Sequence, residues 1–296
     1  FQIPDKVQYI LDTLNNNGYE AYAVGGCVRD MVLGKIPEDW DITTAAKPHE
    51  VKNLFRRTVD TGIQHGTITV LLDKDHYEVT TYRLDGIYED NRHPKEVSFT
   101  SNLEEDLKRR DFTINAMAYN PKGGIIDLFG GKDDLNNRLI TCVGNARERF
   151  DEDALRMLRA IRFSAQLDFQ VEEYTRSAIR QKVELLKNIS AERVRMEFTK
   201  LLVSDNPDRL RDLYELGISK VILPEFDTMM VTPQKNIHHA YPVGEHTIRA
   251  VCAVAGKISE NLFSQQERSI LRWTMLLHDI EKPGTISLGA DGQNHF

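Results

Sequence analysis

Val24-Gly25-Gly26-Cys27-Val28-Arg29-Asp30, with Glu38-Asp39-Trp40-Asp41-Ile42-Thr43-Thr44 a few residues on, is the stretch that decides the fold. The first segment follows a short apolar run, Tyr22–Val24, and opens a helical stretch near 28–33, so it predicts a strand–turn–helix. Glycines at such a turn let backbone N–H groups approach a phosphate, and a helix N-terminus favours an anion. Gly26 and Arg29 are the candidate anion-binding residues; alone, the segment reads equally well as a tight connection. In the second segment Asp39 and Asp41 stand at i and i+2 of an expected strand and share one face. Adjacent carboxylates repel unless a cation lies between them, and Mg²⁺ takes such oxygen ligands alongside substrate phosphates. An isolated Asp-x-Asp reads as a solvated acidic edge; the glycine turn some dozen residues upstream reverses that preference. Glu78, in Tyr77-Glu78-Val79-Thr80-Thr81, is the candidate third carboxylate, against the plainer reading of an outward-facing strand residue.

Around this stretch, residues 4–17 predict an amphipathic helix with Val7, Ile10, Leu11 and Leu14 on one face, Pro4 in the first turn and Gly18 at the end. Up to about Leu139, β-branched runs (Thr67–Leu72, Tyr77–Tyr82) alternate with helical stretches near 47–56 and 102–108, which predicts an α+β domain on one modest sheet. Residues 83–96 are polar and aperiodic and read as a long loop of the kind that is often functional. Beyond Gly144 the strand signal fades. Leu155, Leu158, Ile161 and Ala165 recur at helical spacing, as do Val194, Phe198, Leu201 and Leu202, and an all-helical remainder follows. The expected division is 1–143, 144–217 and 218–296.

Composition narrows the function classes. The 296 residues carry 38 Lys plus Arg against 45 Asp plus Glu, a net charge of −7, with 41% hydrophobic residues. That excludes a disordered chain and a nonspecific nucleic-acid coat, while a local basic patch can still bind RNA. No run approaches the ~20 apolar residues of a membrane span, and no secretory signal is visible. Three distant cysteines, Cys27, Cys142 and Cys252, form no CxxC, which disfavours a disulfide framework and fits a reducing cytoplasm. A start at Phe1 and a stop at Asn294-His295-Phe296 lead us to expect a missing C-terminal part.

Gly25-Gly26-x-Val28-Arg29-Asp30 with Asp39-x-Asp41 resembles the signature of the DNA polymerase β-type nucleotidyltransferases, and most closely class II tRNA nucleotidyltransferases and bacterial poly(A) polymerases. The likeness runs on in order through Lys108-Arg109-Arg110-Asp111-Phe112-Thr113-Ile114-Asn115-Ala116, Asp127-Leu128-Phe129-Gly130-Gly131, Glu152-Asp153-x-x-Arg156 and Glu192-Arg193-x-x-x-Glu197. It implies a nucleotidyltransferase head with a mixed sheet, a hinge at Asp127–Gly131, a helical neck and body, Mg²⁺ in a two-metal site at Asp39 and Asp41, CTP and ATP as substrates, and the tRNA 3′ end as acceptor. Arg110 offers a cation for phosphate and Asp111 an acceptor for a ribose hydroxyl.

Asp153 and Arg156 are i,i+3 neighbours on an expected helix, one an acceptor and one a donor. Cytosine and adenine both present an amine beside a ring-nitrogen acceptor, so one Asp/Arg pair reads either base and mismatches uracil and guanine. A surface ion pair is the bland alternative. Arg159 and Arg162 extend the row, and three arginines on one stripe need an anion, for which a triphosphate is suitable.

Near the C-terminus, Glu245-His246-Thr247 and His278-Asp279-Ile280-Glu281-Lys282 resemble the HD phosphohydrolases, with His246, His278 and Asp279 as candidate ligands. Glu281 stands where that family commonly has Gly, and the chain stops before a last Asp ligand, so this segment reads as HD-like but truncated. The best reading is template-independent CCA addition to tRNA. A-adding-only enzymes, poly(A) polymerases and, in a different class, a metal-dependent HD phosphohydrolase are the alternatives.

Overall fold

The computed structural model describes residues 2–85, 97–234, 241–255, 262–289 and 294–295. It forms two compact units, Phe1–Glu152 and Asp153–Phe296. Helix Ala146–Glu152, which the expected division assigns to the neck, belongs to the first unit, where Arg149 Nη1 donates to the Lys108 carbonyl at 2.9 Å.

The first unit is a seven-stranded mixed sheet with helices packed against it. Helix α1 (Asp5–Asn16) fully buries Val7, Ile10, Leu11 and Leu14, each contributing about 1.5–3 kcal/mol. Strands β1 (Ala21–Val24), β2 (Asp41–Thr44), β3 (Thr58–Gly62), β4 (Thr67–Leu72) and β5 (Asp75–Thr81) follow, with α2 (Gly26–Val32) between β1 and β2 and α3 (Pro48–Leu54) after β2. The order across the sheet is β3-β4-β5-β2-β1 and then β8 (Met117–Asn120) and β9 (Gly124–Asp127). Only β2 and β5 pair in parallel; the other described neighbours are antiparallel. Register sets one row across the strands: Val24 opposite Asp41, Asp41 opposite Glu78, Glu78 opposite Thr69, and Thr69 opposite Val59.

The loop expected over 83–96 starts later than its polarity suggests. Arg83–Asp85 is a strand, β6, antiparallel to β7 (Val97–Phe99). The Arg83 N–H donates to Asp106 at 3.3 Å and its guanidinium to the His65 carbonyl at 2.8 Å, tertiary anchors that a local pattern does not reveal. The rest of that loop, 86–96, lies outside the described residues.

Helix α4 (Leu103–Lys108) is capped by the Asn102 side chain, and α5 (Gly131–Asn137) by Asp127, whose two carboxylate oxygens accept from Gly131 and Lys132 N–H at 2.8 Å each. Gly131 is obligatory for packing: a Cβ there would sit 2.4 Å from the Thr113 carbonyl oxygen. The Asp127–Gly131 motif thus fastens α5 to the Thr113 turn. Helix α6 (Ala146–Glu152) ends the unit.

Among its described residues the second unit is helical apart from two-residue strands at Gln170–Val171, Ser287–Leu288 and Asn294–His295, of which the last two pair with each other. Helix α7 (Leu155–Leu167) buries the predicted Leu155/Leu158/Ile161/Ala165 face, α8 (Glu173–Lys182) follows, and α9 (Ala191–Leu202) packs against α7. Arg272, 1% exposed, donates to the Leu202 and Ser204 carbonyls at 2.6 Å each, placing a cation on the unsatisfied C-terminal carbonyls of α9.

Candidate active site

Strand β2 begins at Asp41, so Asp39 stands just before the strand and not within it as expected. Trp40 between them turns into the core while Asp39 and Asp41 are exposed, so the alternation of the two carboxylates survives without ladder hydrogen bonds at Asp39. Both face a cavity of about 690 Å³ that Thr69, His76 and Glu78 also line. Asp41 reaches its mouth, yet the protein walls displace enough water to push its carboxyl above the ordinary range; Arg110 opposes this rise and Asp39 adds to it. Glu78, beside Asp41 in the sheet register, is also pushed up, first by burial and then by Asp41 and Asp39.

Clustered carboxylates that resist ionisation together suit a hard divalent cation. Among the described residues, three ligand-type atoms come within 4.8 Å of one another at His246, His278 and Asp279 and not at this wall. Asp39 and Asp41, lining one cavity, offer carboxylate oxygens of the kind Mg²⁺ takes alongside waters and substrate phosphates.

Positive charge comes from the neighbouring strand at the same end of the sheet, where Val24 pairs with Asp41 just before the Gly25 turn. Gly25, at φ +81°, turns the chain from β1 into α2, its N–H bonded to the Met117 carbonyl at 3.1 Å. A Cβ on Gly25 would lie 3.1 Å from Arg110 Nη1, whereas one on Gly26 would meet nothing nearer than Arg29 Nη2 at 3.6 Å. Gly25 is thus the position where geometry demands glycine, although Gly26 was the residue singled out. Arg29 is held by Asp30 Oδ1 (Nε, 2.9 Å) and Asn115 Oδ1 (Nη1, 2.9 Å). Asn115 Nδ2 in turn donates to Asp111 Oδ1 at 3.2 Å, and the Phe112 N–H donates to the same oxygen at 2.8 Å. Arg29, Asn115 and Asp111 therefore form one chain of contacts. Asn115 was missed as a site residue; its signal was the i+4 spacing from Asp111. Asp106, also missed, is fully buried, and its charge sits in a polar run that reads as surface.

In the second unit Asp153 precedes α7 and does not lie within it; its Oδ1 accepts from the Leu155 N–H at 3.1 Å. Arg193 of α9 donates to both Asp153 oxygens, at 2.9 and 3.4 Å. Arg156 is nearly buried one turn on. The arginine row does find an anion, and it belongs to the chain. Glu197, 5% exposed, accepts from Arg162 Nε at 2.8 Å and lies 3.6 Å from Arg159. Arg162 also stacks over Phe163, its guanidinium carbon 3.6 Å from the ring centroid. Mutual repulsion among these arginines is thus no argument for a triphosphate. The Glu192–Glu197 motif supports α7 through Arg193 and Glu197.

His246, His278 and Asp279 come together with donor atoms within 4.8 Å, a set that can hold a divalent ion. Lys282 Nζ lies 2.8 Å from Asp279 Oδ2. Upstream, Glu245 is held below the usual carboxylate range by hydrogen bonds from Arg211 and Arg249.

Two family models match. Residues 21–141 match the Poly A polymerase head domain, and 168–230 match the probable RNA and SrmB-binding site of polymerase A. A CCA-adding enzyme of Lactobacillus delbrueckii subsp. bulgaricus is 54% identical over 212 residues, which is 71% of this chain and 54% of that protein. The chain spans about half the length of the curated relatives it matches. The crystal structure of the Bacillus stearothermophilus CCA-adding enzyme in complex with CTP superposes with a TM-score of 0.69 at 33% identity, covering 96% of this chain and 80% of that one. The Thermotoga maritima CCA-adding enzyme complexed with tRNA gives a TM-score of 0.70 at 25% identity, covering 95% and 67%. With these five ordered motifs, this head fold and these likenesses, the chain belongs to the CCA-adding enzyme family.

Proposed function

We propose that the protein is a template-independent tRNA nucleotidyltransferase that adds or repairs the 3′-terminal CCA from CTP and ATP and releases pyrophosphate. The observation that carries this reading is the wall of Asp39, Asp41 and Glu78 around one cavity, with the Arg110 guanidinium acting on Asp41 from the Gly25 turn. The tRNA 3′-oxygen bonds to the α-phosphorus of the incoming nucleotide, and the bond to the bridging oxygen of the β-phosphate breaks. Asp39 and Asp41 would hold Mg²⁺, which when bound would activate the attacking oxygen and stabilise charge on the leaving group. Arg29 and Arg110 orient the triphosphate; in the second unit Arg159 and Arg162 are further candidates for phosphate contact, and Arg162, already engaged by Glu197, is the weaker of the two. Asp111 receives a ribose hydroxyl. Asp153 and Arg156 read the base edge. No helix among the described residues is long and apolar enough to cross a membrane; the proposed tRNA substrate supports a cytoplasmic location.

The test is incubation with tRNA ending in -N, -NC and -NCC and labelled CTP and ATP separately. Incorporation of C, C and A in that order is expected. Addition only to -NCC makes the protein an A-adding enzyme, and a run of A residues makes it a poly(A) polymerase. A second reading rests on the His246/His278/Asp279 cluster: a divalent-metal phosphohydrolase in the second unit. Metal-dependent hydrolysis of a phosphomonoester that is abolished by Asp279→Asn supports it; its absence removes it.

A further inference from the structure

We infer that Asp106 is a positioning residue for the nucleotide triphosphate, acting through Arg110; this rests on the assignment of Arg110 to the triphosphate. Asp106 lies outside the residues that line the carboxylate cavity, and it is fully buried. A buried carboxylate persists only where donors surround it. Here four residues from three places in the sequence supply them. Arg109 donates to Oδ1 at 2.9 and 3.2 Å, and the Arg83 N–H donates to the same oxygen at 3.3 Å. Thr43 Oγ1 donates to Oδ2 at 3.0 Å, and Arg110 Nη2 lies 3.5 Å from it.

The Arg110 contact carries the inference. Its Nη2 is drawn to Asp106 while its Nη1 lies 3.1 Å from where a Gly25 Cβ would be, against the glycine turn. The same guanidinium acts on Asp41. Its Nε is buried without a hydrogen-bond partner, so no bond at Nε competes with the Asp106 contact at Nη2 in setting where the guanidinium sits. Asp106 thus holds one cation between the glycine turn and the carboxylate wall. Thr43 ties this hub to β2, two residues beyond Asp41. Of its two arginines, Arg109 donates two N–H groups to Oδ1 and Arg110 lies at a longer distance from Oδ2, which leaves Arg110 the one able to share its charge with a bound anion.

The test is a double-mutant cycle on the full-length protein, reading equilibrium affinity for CTP and for CMP. Asp106→Asn removes the charge and keeps the shape. It should weaken CTP by about tenfold or more, the scale of one charge-assisted hydrogen bond, and leave CMP nearly unchanged. In an Arg110→Ala background the same substitution should have no further effect on CTP. Thr43→Val, which leaves Oδ2 to pull Arg110 away from the turn, should cause a smaller loss with the same selectivity; it serves alone if Asp106→Asn does not fold. An equal loss of CTP and CMP, an unchanged CTP affinity, or a full effect persisting without Arg110 each overturns the inference. Binding is read separately from turnover, so absence of CTP or ATP incorporation by the wild type counts against the proposed reaction and not against this role of Asp106.

Discussion

At the scale of single residues, Asp153 is where burial and partner geometry bear most directly on substrate choice. Arg193 and the Leu155 N–H fix the carboxylate, yet a carboxylate has about four acceptor positions, so one edge remains to meet a base amine. Asp153→Ala should lower kcat/KM for CTP and ATP and raise the relative use of UTP and GTP, by roughly tenfold to a hundredfold for a lost bidentate contact. Arg193→Ala should shift the same ratio less, because it loosens the carboxylate without deleting it. Arg159→Ala should weaken all four nucleotides alike, since phosphate contacts carry no base information. An unchanged CTP-to-UTP ratio in Asp153→Ala would reduce that residue to a helix cap. Asp39→Ala or Asp41→Ala should abolish incorporation with tRNA binding nearly intact, and wild-type turnover in either variant would remove the carboxylate wall from the chemistry.

At the scale of elements, stability rests on buried charges that join one segment to another. Glu197 joins α9 to α7 through Arg162 and Arg159. Glu197→Gln leaves a buried guanidinium undercompensated and should cost about 3–5 kcal/mol, read as a shift in the denaturant midpoint. Asp106 ties α4 to β2 and β6. Burial raises its carboxyl, but Arg109 and Arg110 outweigh that and hold it below the ordinary value. Its contribution is therefore fully present above the unfolded pKa, near 3.9, and is lost as pH falls through the lower folded value. Asp106→Asn should be less stable at neutral pH and should flatten the acid limb of the stability curve; an acid limb identical to wild type contradicts the assignment. Helix α1 was legible because its apolar stripe is local, and the Asp39/Asp41 pair because its spacing is. Asp106 and Glu197 were not, because a carboxylate in a polar run looks solvated until distant arginines close over it. Trp40 shows the same limit: nothing in its neighbours announces that the strand starts one residue after it.

At the scale of the whole chain, the five motifs were legible in order, whereas the boundary between units was not, since α6 continues the helical pattern of the neck while its Arg149 holds the first unit. Each unit has its own buried core: Val28, Ile42, Val79 and Ile114 in one, Leu158, Ile161, Leu201 and Leu213 in the other. Separate cores make separate cooperative units the natural expectation. Gly131→Ala tests this from one side, because a methyl group 2.4 Å from the Thr113 oxygen must displace α5, at about 1–3 kcal/mol. Glu197→Gln tests it from the other. Amide hydrogen exchange should then divide the chain. Gly131→Ala should speed exchange in β8, β9 and α5 and leave α7 and α9 at wild-type rates. Glu197→Gln should do the reverse. Substitutions in separate units should also add in free energy. If either variant accelerated exchange in both units by the same factor, the chain would unfold as one body, and the division at Glu152 would describe its geometry without describing its energetics.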